Sequence, residues 1–325
     1  MRQSLCAITS NVEVMPGVYL MWLDAPDIAS SAQPGQFITV CCEGLVLRRP
    51  FSVHQVSSLS SPPTGDEASP EPFACCHSER SEESYRAQGK LREGTGKGEI
   101  ALLFQVVGKG TFWLSQQPAG NKIDVLGPLG KGFNIVPGLK NLLLVGGGIG
   151  IAPLIFLAQY ASPQYQVTLI HGASNAAQIY PFLSLPLTIN SSPSKGEEKG
   201  EGEKQSNLLS LPSGVQFIPV TEDGTLGRKG MVTDILPDFL DWADQVFACG
   251  PVDMYKTMAE LLTCHSERSE ESKLRNCQIS LEVRMGCGIG ACRSCTINTK
   301  HGLKQVCRDG PVFEMNDVLW QEVKI

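Results

Sequence analysis

Residues 142–158 read LLLVGGGIGIAPLIFLA. A run of aliphatic residues ends in Gly146, Gly147, Gly148 and Gly150 and passes directly into an apolar, helix-forming stretch. That order is a buried strand, a glycine turn and a helix. The turn brings backbone N–H groups to a helix start, where a pyrophosphate can approach. The four glycines and Pro153 break the apolar run too often for a membrane span. Working outward, QVTLIHG (166–172), VQFIPV (215–220) and QVFACG (245–250) are further short aliphatic runs, and VDMYKTMAELL (252–262) follows the last as a helix. The alternation predicts a parallel α/β sheet. No Arg or Lys stands at His171–Asn175 to hold a 2′-phosphate, which favours NAD over NADP.

Upstream the style differs. CAITSNVEV (6–14), GVYLMWL (17–23), GQFITVCC (35–42), FSVHQV (51–56) and IALLFQVVG (100–108) are β-type runs separated by Gly/Pro turns, as in a barrel. Three polar segments interrupt the pattern, at about 58–97, 184–213 and 264–274, and all three read as exposed inserted loops. Two of them carry the same string, CHSERSEES, at 76–84 and 264–272. The third includes SSPSKGEEKGEGEKQS (191–206), a composition that buries nothing. The expected division is 1–137, 138–275 and 276–325.

The 325 residues suffice for two domains with sizeable cores. Hydrophobic residues at 42% and charged ones at 18% describe a globular chain, and a net charge of −6 argues against a nucleic-acid partner. The N-terminal MRQSLCAITSNVEV lacks the apolar region of a secretory signal, so a cytoplasmic location is expected, away from membranes. In a reducing compartment the 12 Cys point to metal binding or free thiols, not disulfides.

The tail explains four of them. Cys287, Cys292 and Cys295 stand in the order C-x4-C-x2-C, and Cys307 follows. This is plant-type [2Fe–2S] spacing, in which one tight loop supplies three thiolates and a later strand returns the fourth. Gly286, Gly288 and Gly290 let the loop curl around sulfur. A structural zinc site and free thiols are the alternatives, but zinc prefers evenly paired knuckles.

Weaker signals lie elsewhere. Arg48-Arg49-Pro50-Phe51-Ser52 offers a guanidinium clamp for phosphate, an aromatic ring for a flavin and a hydroxyl for a flavin nitrogen. Val107-Gly108-Lys109-Gly110-Thr111 is a second turn able to hold phosphate, and Cys249-Gly250-Pro251 ends a strand at the expected ligand edge. Cys249 is either a core residue or a neighbour of a nicotinamide. The five His (54, 77, 171, 265 and 301) form no cluster in the sequence, and none is assigned a catalytic role.

R-P-F-S, G-K-G-T, G-G-G-I-G-x-A-P and C-G-P, in this order, resemble the ferredoxin–NADP⁺ reductase superfamily. TEDGTLGRKGMVTDIL (221–236), SLEVRMGCGIGACRSC (280–295) and QVCRDGPVF (305–313) are similar to the electron-transfer subunits of NAD-dependent dihydroorotate dehydrogenases. The resemblance implies a flavin-binding β-barrel, a nucleotide-binding parallel α/β domain and a small C-terminal [2Fe–2S] module. It also implies an FMN-containing catalytic partner, in a heterotetramer of two copies of each subunit. Electrons would pass from that subunit through the cluster and FAD to NAD⁺, in pyrimidine biosynthesis. Arg49, Pro50, Phe51 and Ser52 would contact FAD, with Gly110 and Thr111 on its phosphates. Gly147, Gly148, Gly150 and Cys249 would border NAD, and Cys287, Cys292, Cys295 and Cys307 would ligate the cluster. Two alternatives stay open: a related reductase subunit serving a hydrogenase or oxygenase, and a non-catalytic redox-sensing module whose flavin site is spoiled by the first insertion.

Overall fold

The computed structural model describes residues 1–57, 92–93, 98–182, 211–268 and 276–323. The readings at about 58–97 and 184–213 therefore fall almost entirely outside the described residues.

Each β-type run of the N-terminal part becomes a strand: β1 (Arg2–Met15), β2 (Val18–Asp24), β3 (Phe37–Val40), β4 (Arg49–Ser52), β5 (Gln55–Val56), β6 (Arg92–Glu93), β7 (Glu99–Gln105) and β8 (Lys122–Leu129). Helix α1 (Pro26–Ala29) follows β2, and α2 (Lys109–Ser115) lies between β7 and β8. Along β1, Ser4, Cys6 and Ile8 are buried in alternation, the period-2 signature of a strand with one face on a core. The strands line up as β4-β3-β8-β1-β2-β7-β5, with β6 beside β1. The two ends of that order are consecutive in the chain, separated by Val53 and His54 alone. Val53 N–H donates to Gln36 O and His54 N–H to Ala101 O, so these two residues carry the chain from one edge to the other and close the barrel. The first insertion leaves this closure intact, since Gln55 and Val56 still pair with Ala101 and Ile100 beyond it.

The second sheet contains β9 (Asn141–Gly147), β10 (Gln166–Ala173), β11 (Val215–Thr221), β12 (Arg228–Lys229), β13 (Gln245–Cys249) and β14 (Asn276–Ser280). Its order is β12-β11-β10-β9-β13-β14 and then a last strand, β17 (Val312–Glu314). Two more strands intervene in sequence, β15 (Thr296–Thr299) and β16 (Gly302–Gln305), before β17. All pairings in this sheet are parallel except β14 with β17. The order reverses at β9, leaving a crevice between the ends of β9 and β13, where open α/β sheets bind ligands.

Helix α3 (Ile151–Ala161) is buried over almost its whole surface. One apolar core runs from Leu20, Trp22 and Leu103 of the barrel through α3 to Leu144 and Phe247 of the parallel sheet. The helix is apolar all round because it is sandwiched between the two units. The linker between them is stitched down by buried glutamines: Asn134 N–H donates to Gln278 Oε1, and Val136 N–H donates to Gln245 Oε1. Helices α4 (Val232–Ile235) and α5 (Pro237–Leu240) precede β13, α6 (Val252–Arg268) follows it, and α7 (Val306–Asp309) precedes β17.

Two expectations change. Residues 276–280, grouped by the sequence with the C-terminal module, are the sixth parallel strand of the nucleotide sheet, Val246 facing Cys277 and Phe247 facing Gln278. Residues 264–268, read as the start of an inserted loop, continue α6. His265 Nε2 lies 2.9 Å from Asp241 Oδ1 and ties that last turn to the residue after α5. The segment 269–275 lies outside the described residues.

Candidate functional site

Two cavities open on either side of the glycine turn. The first, about 400 Å³, lies between the barrel and the parallel sheet and is walled by Pro50, Phe51, Ser52, Phe104, Thr111 and Ala152, among others. Phe51 meets Phe104 edge-on at 5.7 Å, and Phe104 stacks on Tyr19 at 5.9 Å, giving one wall a set of fixed aromatic faces. β4 ends the sheet order, so its outer backbone edge has no strand partner among the described residues, and Pro50, Phe51 and Ser52 face the cavity. An apolar wall beside a free strand edge fits a flat heteroaromatic ring with a hydrogen-bonding rim.

The two arginines of the R-R-P-F-S stretch divide their work. Arg48 pairs with Asp124 on β8 and donates to the carbonyl oxygens of Thr39 and Asp124 at 3.3 Å, which makes it a brace across β3 and β8. Arg49 lies over α2, with Nε 3.0 Å from where a Cβ on Gly110 would stand. A side chain at 110 would crowd Arg49 and Leu45 and push the guanidinium outward by a few tenths of an ångström. Thr111 Oγ1 accepts the N–H groups of Val107 (2.9 Å) and Gly108 (3.2 Å), so Thr111 caps its own helix as well as lining the cavity.

The second cavity, about 420 Å³, sits at the crevice between β9 and β13 and is walled by Gly147, Gly148, Gly172, Ser174, Glu222 and Pro251, among others. The glycines of the turn have different reasons. Gly148 has φ +55 with open space where a Cβ would be. At Gly147 a Cβ would meet Pro251 Cδ at 2.9 Å and Met254 Sδ at 3.0 Å. At Gly150 it would stand 2.2 Å from Cys249 O, so this residue lets the two crevice loops touch. Cys249 is fully buried and lines neither cavity. Burial raises its thiol pKa well above the usual range, and Tyr255 and Ser280 hydrogen-bond to it. Every residue of β13 is buried, so the ligand edge begins only after the strand, at Pro251. Cys249 is thus a core residue.

Glu222 has no counterpart in the sequence reading. It follows β11, and the parallel register that sets Ala173 opposite Thr221 brings it to Ser174, whose hydroxyl donates to Glu222 Oε1 at 3.1 Å. The cavity wall holds Glu222 and Asp253 and no Lys or Arg among the described residues.

Two buried histidines connect the cavities. His54 Nδ1–H donates to Ala152 O at 2.8 Å, and Tyr180 OH donates to His54 Nε2 at 3.0 Å. His171 Nε2–H donates to Gly148 O at 2.9 Å, and Tyr180 N–H donates to His171 Nδ1 at 3.3 Å. Each ring uses one nitrogen as donor and one as acceptor, which only the neutral form does. Desolvation pushes both pKa values down to about 4. With an ordinary value of 6.5 in the unfolded chain, stability is unaffected above pH 6.5 and falls as the pH drops from 6.5 towards 4, because only the unfolded state takes up protons there. The loss reaches about 3 kcal/mol per ring at full burial. An NMR titration of the imidazoles should find both still neutral at pH 5; a charged ring at that pH would contradict the assignment.

The cysteine loop stands against the first cavity. Glu282, Val283, Arg284 and Met285 wall it, and Cys287 follows. Glu282 opens onto the cavity but is ringed by protein, whose desolvation raises its carboxyl pKa. Gly288, at φ +73, rests on the barrel where a Cβ would meet Thr39 Cγ2 at 2.9 Å. The four thiols form two pairs. Cys292 hydrogen-bonds with Ser294 and with Cys287, which lowers its pKa to about 6. Cys307 is raised to about 12 by desolvation and by its hydrogen bond with Cys295, with the charges of Cys295 and Cys287 acting in the same direction. Backbone N–H groups of Ala291 (3.2 Å) and Cys292 (3.4 Å) point at Cys287 Sγ, that of Gly290 (3.1 Å) at Cys307 Sγ, and that of Cys307 (3.4 Å) at Cys295 Sγ. Among the described residues no three Cys, His, Asp or Glu side chains gather as for a single ion. Two thiol pairs, both supplied with backbone N–H donors, fit a two-iron cluster.

Comparison with known proteins agrees with this layout. Residues 282–319 match the family model described as the iron-sulfur cluster binding domain of dihydroorotate dehydrogenase B. The curated "Dihydroorotate dehydrogenase B (NAD(+)), electron transfer subunit" of Desulforamulus reducens is 34% identical over 95% of this chain and 95% of its own length. The protein of the same name from Caldanaerobacter subterraneus subsp. tengcongensis is 30% identical over 96% of this chain and 97% of its own. Among solved structures, the NADH-dependent reduced ferredoxin-NADP oxidoreductase has a similar fold, at a TM-score of 0.65 with 24% identity, over 98% of this chain and 91% of that one. A ferredoxin NADP⁺ reductase from Neisseria gonorrhoeae, solved with bound FAD and NADP, aligns at 0.54 with 15% identity, over 87% and 98%. With a cysteine loop built for two irons, two cavities flanking a glycine turn, and relatives matched along nearly their full length, the chain belongs to the family of electron transfer subunits of dihydroorotate dehydrogenase B (NAD(+)).

Proposed function

We propose that the chain carries electrons from a dihydroorotate-oxidising partner to NAD⁺, in pyrimidine biosynthesis, with FAD in the first cavity, a [2Fe–2S] cluster on the cysteine loop and the nicotinamide nucleotide in the second. The observation that carries this is continuity: residues 282–285 wall the first cavity and lead into Cys287, while Gly148–Ala152 divides that cavity from the second. FAD bound there would supply the exchange between single electrons and an electron pair, which places its cavity between the other two sites.

The chain's own part is to hold and orient. Arg49 and Gly110–Thr111 present charge and backbone to the flavin's phosphates. Pro50, Phe51 and Ser52 bind the ring along a strand edge, and Cys287, Cys292, Cys295 and Cys307 hold the irons. Gly147 and Gly148 let the nucleotide approach the turn, while Gly150 keeps the crevice loops in contact. The partner is an FMN-containing catalytic subunit, two of each in the complex. The working division is a flavin unit over 1–137, a nucleotide unit to about 281, and the cluster segment beyond.

Anaerobically purified protein should carry one FAD and two irons per chain and co-purify with dihydroorotate-oxidising activity; a partner without that activity would overturn the assignment. Glu222 supports NAD as acceptor, because a carboxylate repels a 2′-phosphate and can accept hydrogen bonds from a ribose diol. Glu222→Arg should shift the kcat/KM ratio towards NADPH by on the order of 100-fold. An unchanged ratio would remove Glu222 from nucleotide selection.

A further inference from the structure

The segment Gly148–Ala152 is the partition between the two cavities: Gly147 and Gly148 face the second, Ile149 and Ala152 the first. Its two ends are gripped from outside, Gly148 O by His171 and Ala152 O by His54. The two grips are joined through a single residue, Tyr180, whose hydroxyl holds His54 and whose N–H holds His171. His54 comes from the barrel closure, two residues after Ser52, and His171 from β10 of the parallel sheet. All three side chains are fully buried. Tyr180 is held in turn by edge-on contact with Phe182 at 4.8 Å.

A structural histidine needs only satisfied nitrogens. Here both rings are aimed at carbonyls of the same five-residue partition, one from each unit. We infer that His54, Tyr180 and His171 are positioning residues that set the partition and thereby the approach of the nicotinamide to the flavin. The inference rests on the reading of the cavities given above. The trio touches neither group itself; it acts through Gly148 and Ala152. Transfer between two stacked rings depends steeply on their separation, and a misplacement of about 1 Å costs on the order of 100-fold in rate.

The test uses the holoprotein with FAD and cluster in place. NADH is added anaerobically, and three quantities are read: its dissociation constant, the long-wavelength charge-transfer absorbance per bound nucleotide, and the rate of flavin reduction. Tyr180→Phe removes the hydroxyl and keeps the ring. It should at least halve the charge-transfer absorbance and slow reduction roughly 10-fold, with FAD content and cluster spectrum as in wild type and the dissociation constant within about threefold. His171→Gln retains an N–H near the Nε2 position and should stay close to wild type, whereas His171→Leu should lose the band. This pair decides the matter if Tyr180→Phe does not fold. Leu240→Ala opens the other apolar core, away from the bridge, and serves as the stability-matched control. The inference is overturned if Leu240→Ala, at equal loss of melting temperature, lowers the band as much as Tyr180→Phe. It is also overturned if Tyr180→Phe, or both His171 variants, keep band and rate. Absence of the band and of flavin reduction in wild type would instead overturn the assignment of the cavities.

Discussion

Cys292→Ser is expected to abolish the visible-region cluster absorbance while FAD remains bound, and electron transfer from the partner to NAD⁺ should fall on the order of 100-fold or more. NADH-dependent reduction of a dye, which draws on the flavin alone, stays within about twofold of wild type. Cys292 lies in the exposed half of the loop, and its thiol is held between Ser294 and Cys287. A serine hydroxyl is a far poorer iron ligand, so the loop would keep only three of its four thiolates for a cluster. The flavin cavity is walled by other residues, and none of the four cysteines is among them. Retention of the full cluster spectrum in the variant would refute the ligand assignment. Loss of FAD together with the cluster would show that the loop and the cavity are one cooperative unit.

Gly150→Ala has the second large effect, and it acts on stability and nucleotide binding together. Gly150 has φ −61, an ordinary helical value, so alanine meets no backbone strain. In an exposed helix the change would be favourable. Here the new methyl would stand 2.2 Å from Cys249 O, 2.5 Å from Cys249 C and 2.7 Å from Gly250 N. These are backbone atoms at the end of a buried strand and cannot swing aside as a side chain would. The expected cost is about 3 kcal/mol, or roughly 5–10 °C in melting temperature, with NADH affinity reduced as the crevice loops part. Gly148→Ala is the contrast: nothing lies within 4 Å of its Cβ position, and the cost is only that of φ +55, about 1 kcal/mol. Equal melting temperatures for the two variants would show that the close approach at Gly150 relaxes at no cost.

The cysteine loop and the glycine turn were readable because their patterns are local. Three thiolates come from one loop, and the strand, turn and helix of 142–158 are contiguous. Features assembled across the fold were not. Glu222 reaches Ser174 only through the parallel register of β10 and β11. His54 and His171 meet through Tyr180 only once the barrel is docked on α3. Cys249 stands at the right strand end for a ligand contact, yet both faces of β13 are covered, and the residue type does not reveal that. Arg48 and Arg49 are identical in sequence terms; the Asp124 that engages one of them lies far along the chain. The boundary near 276 misled because β14 carries polar Asn276 and Gln278, whose side chains are taken up by Glu314 and the linker.

The cysteine loop departs from β14 and returns at β17, and these two strands are neighbours. Ser280 faces Val312, and Leu281 N–H donates to Pro311 O at 2.9 Å, so the loop's ends are fastened to each other by sheet bonds that involve no sulfur. Iron therefore does not have to draw distant parts of the chain together, since the entropy of closing the loop is already met by the sheet. The metal site is a cassette hung from a finished frame. The strand pairing that frames it involves no iron, so the nucleotide sheet should form whether or not the cluster is loaded.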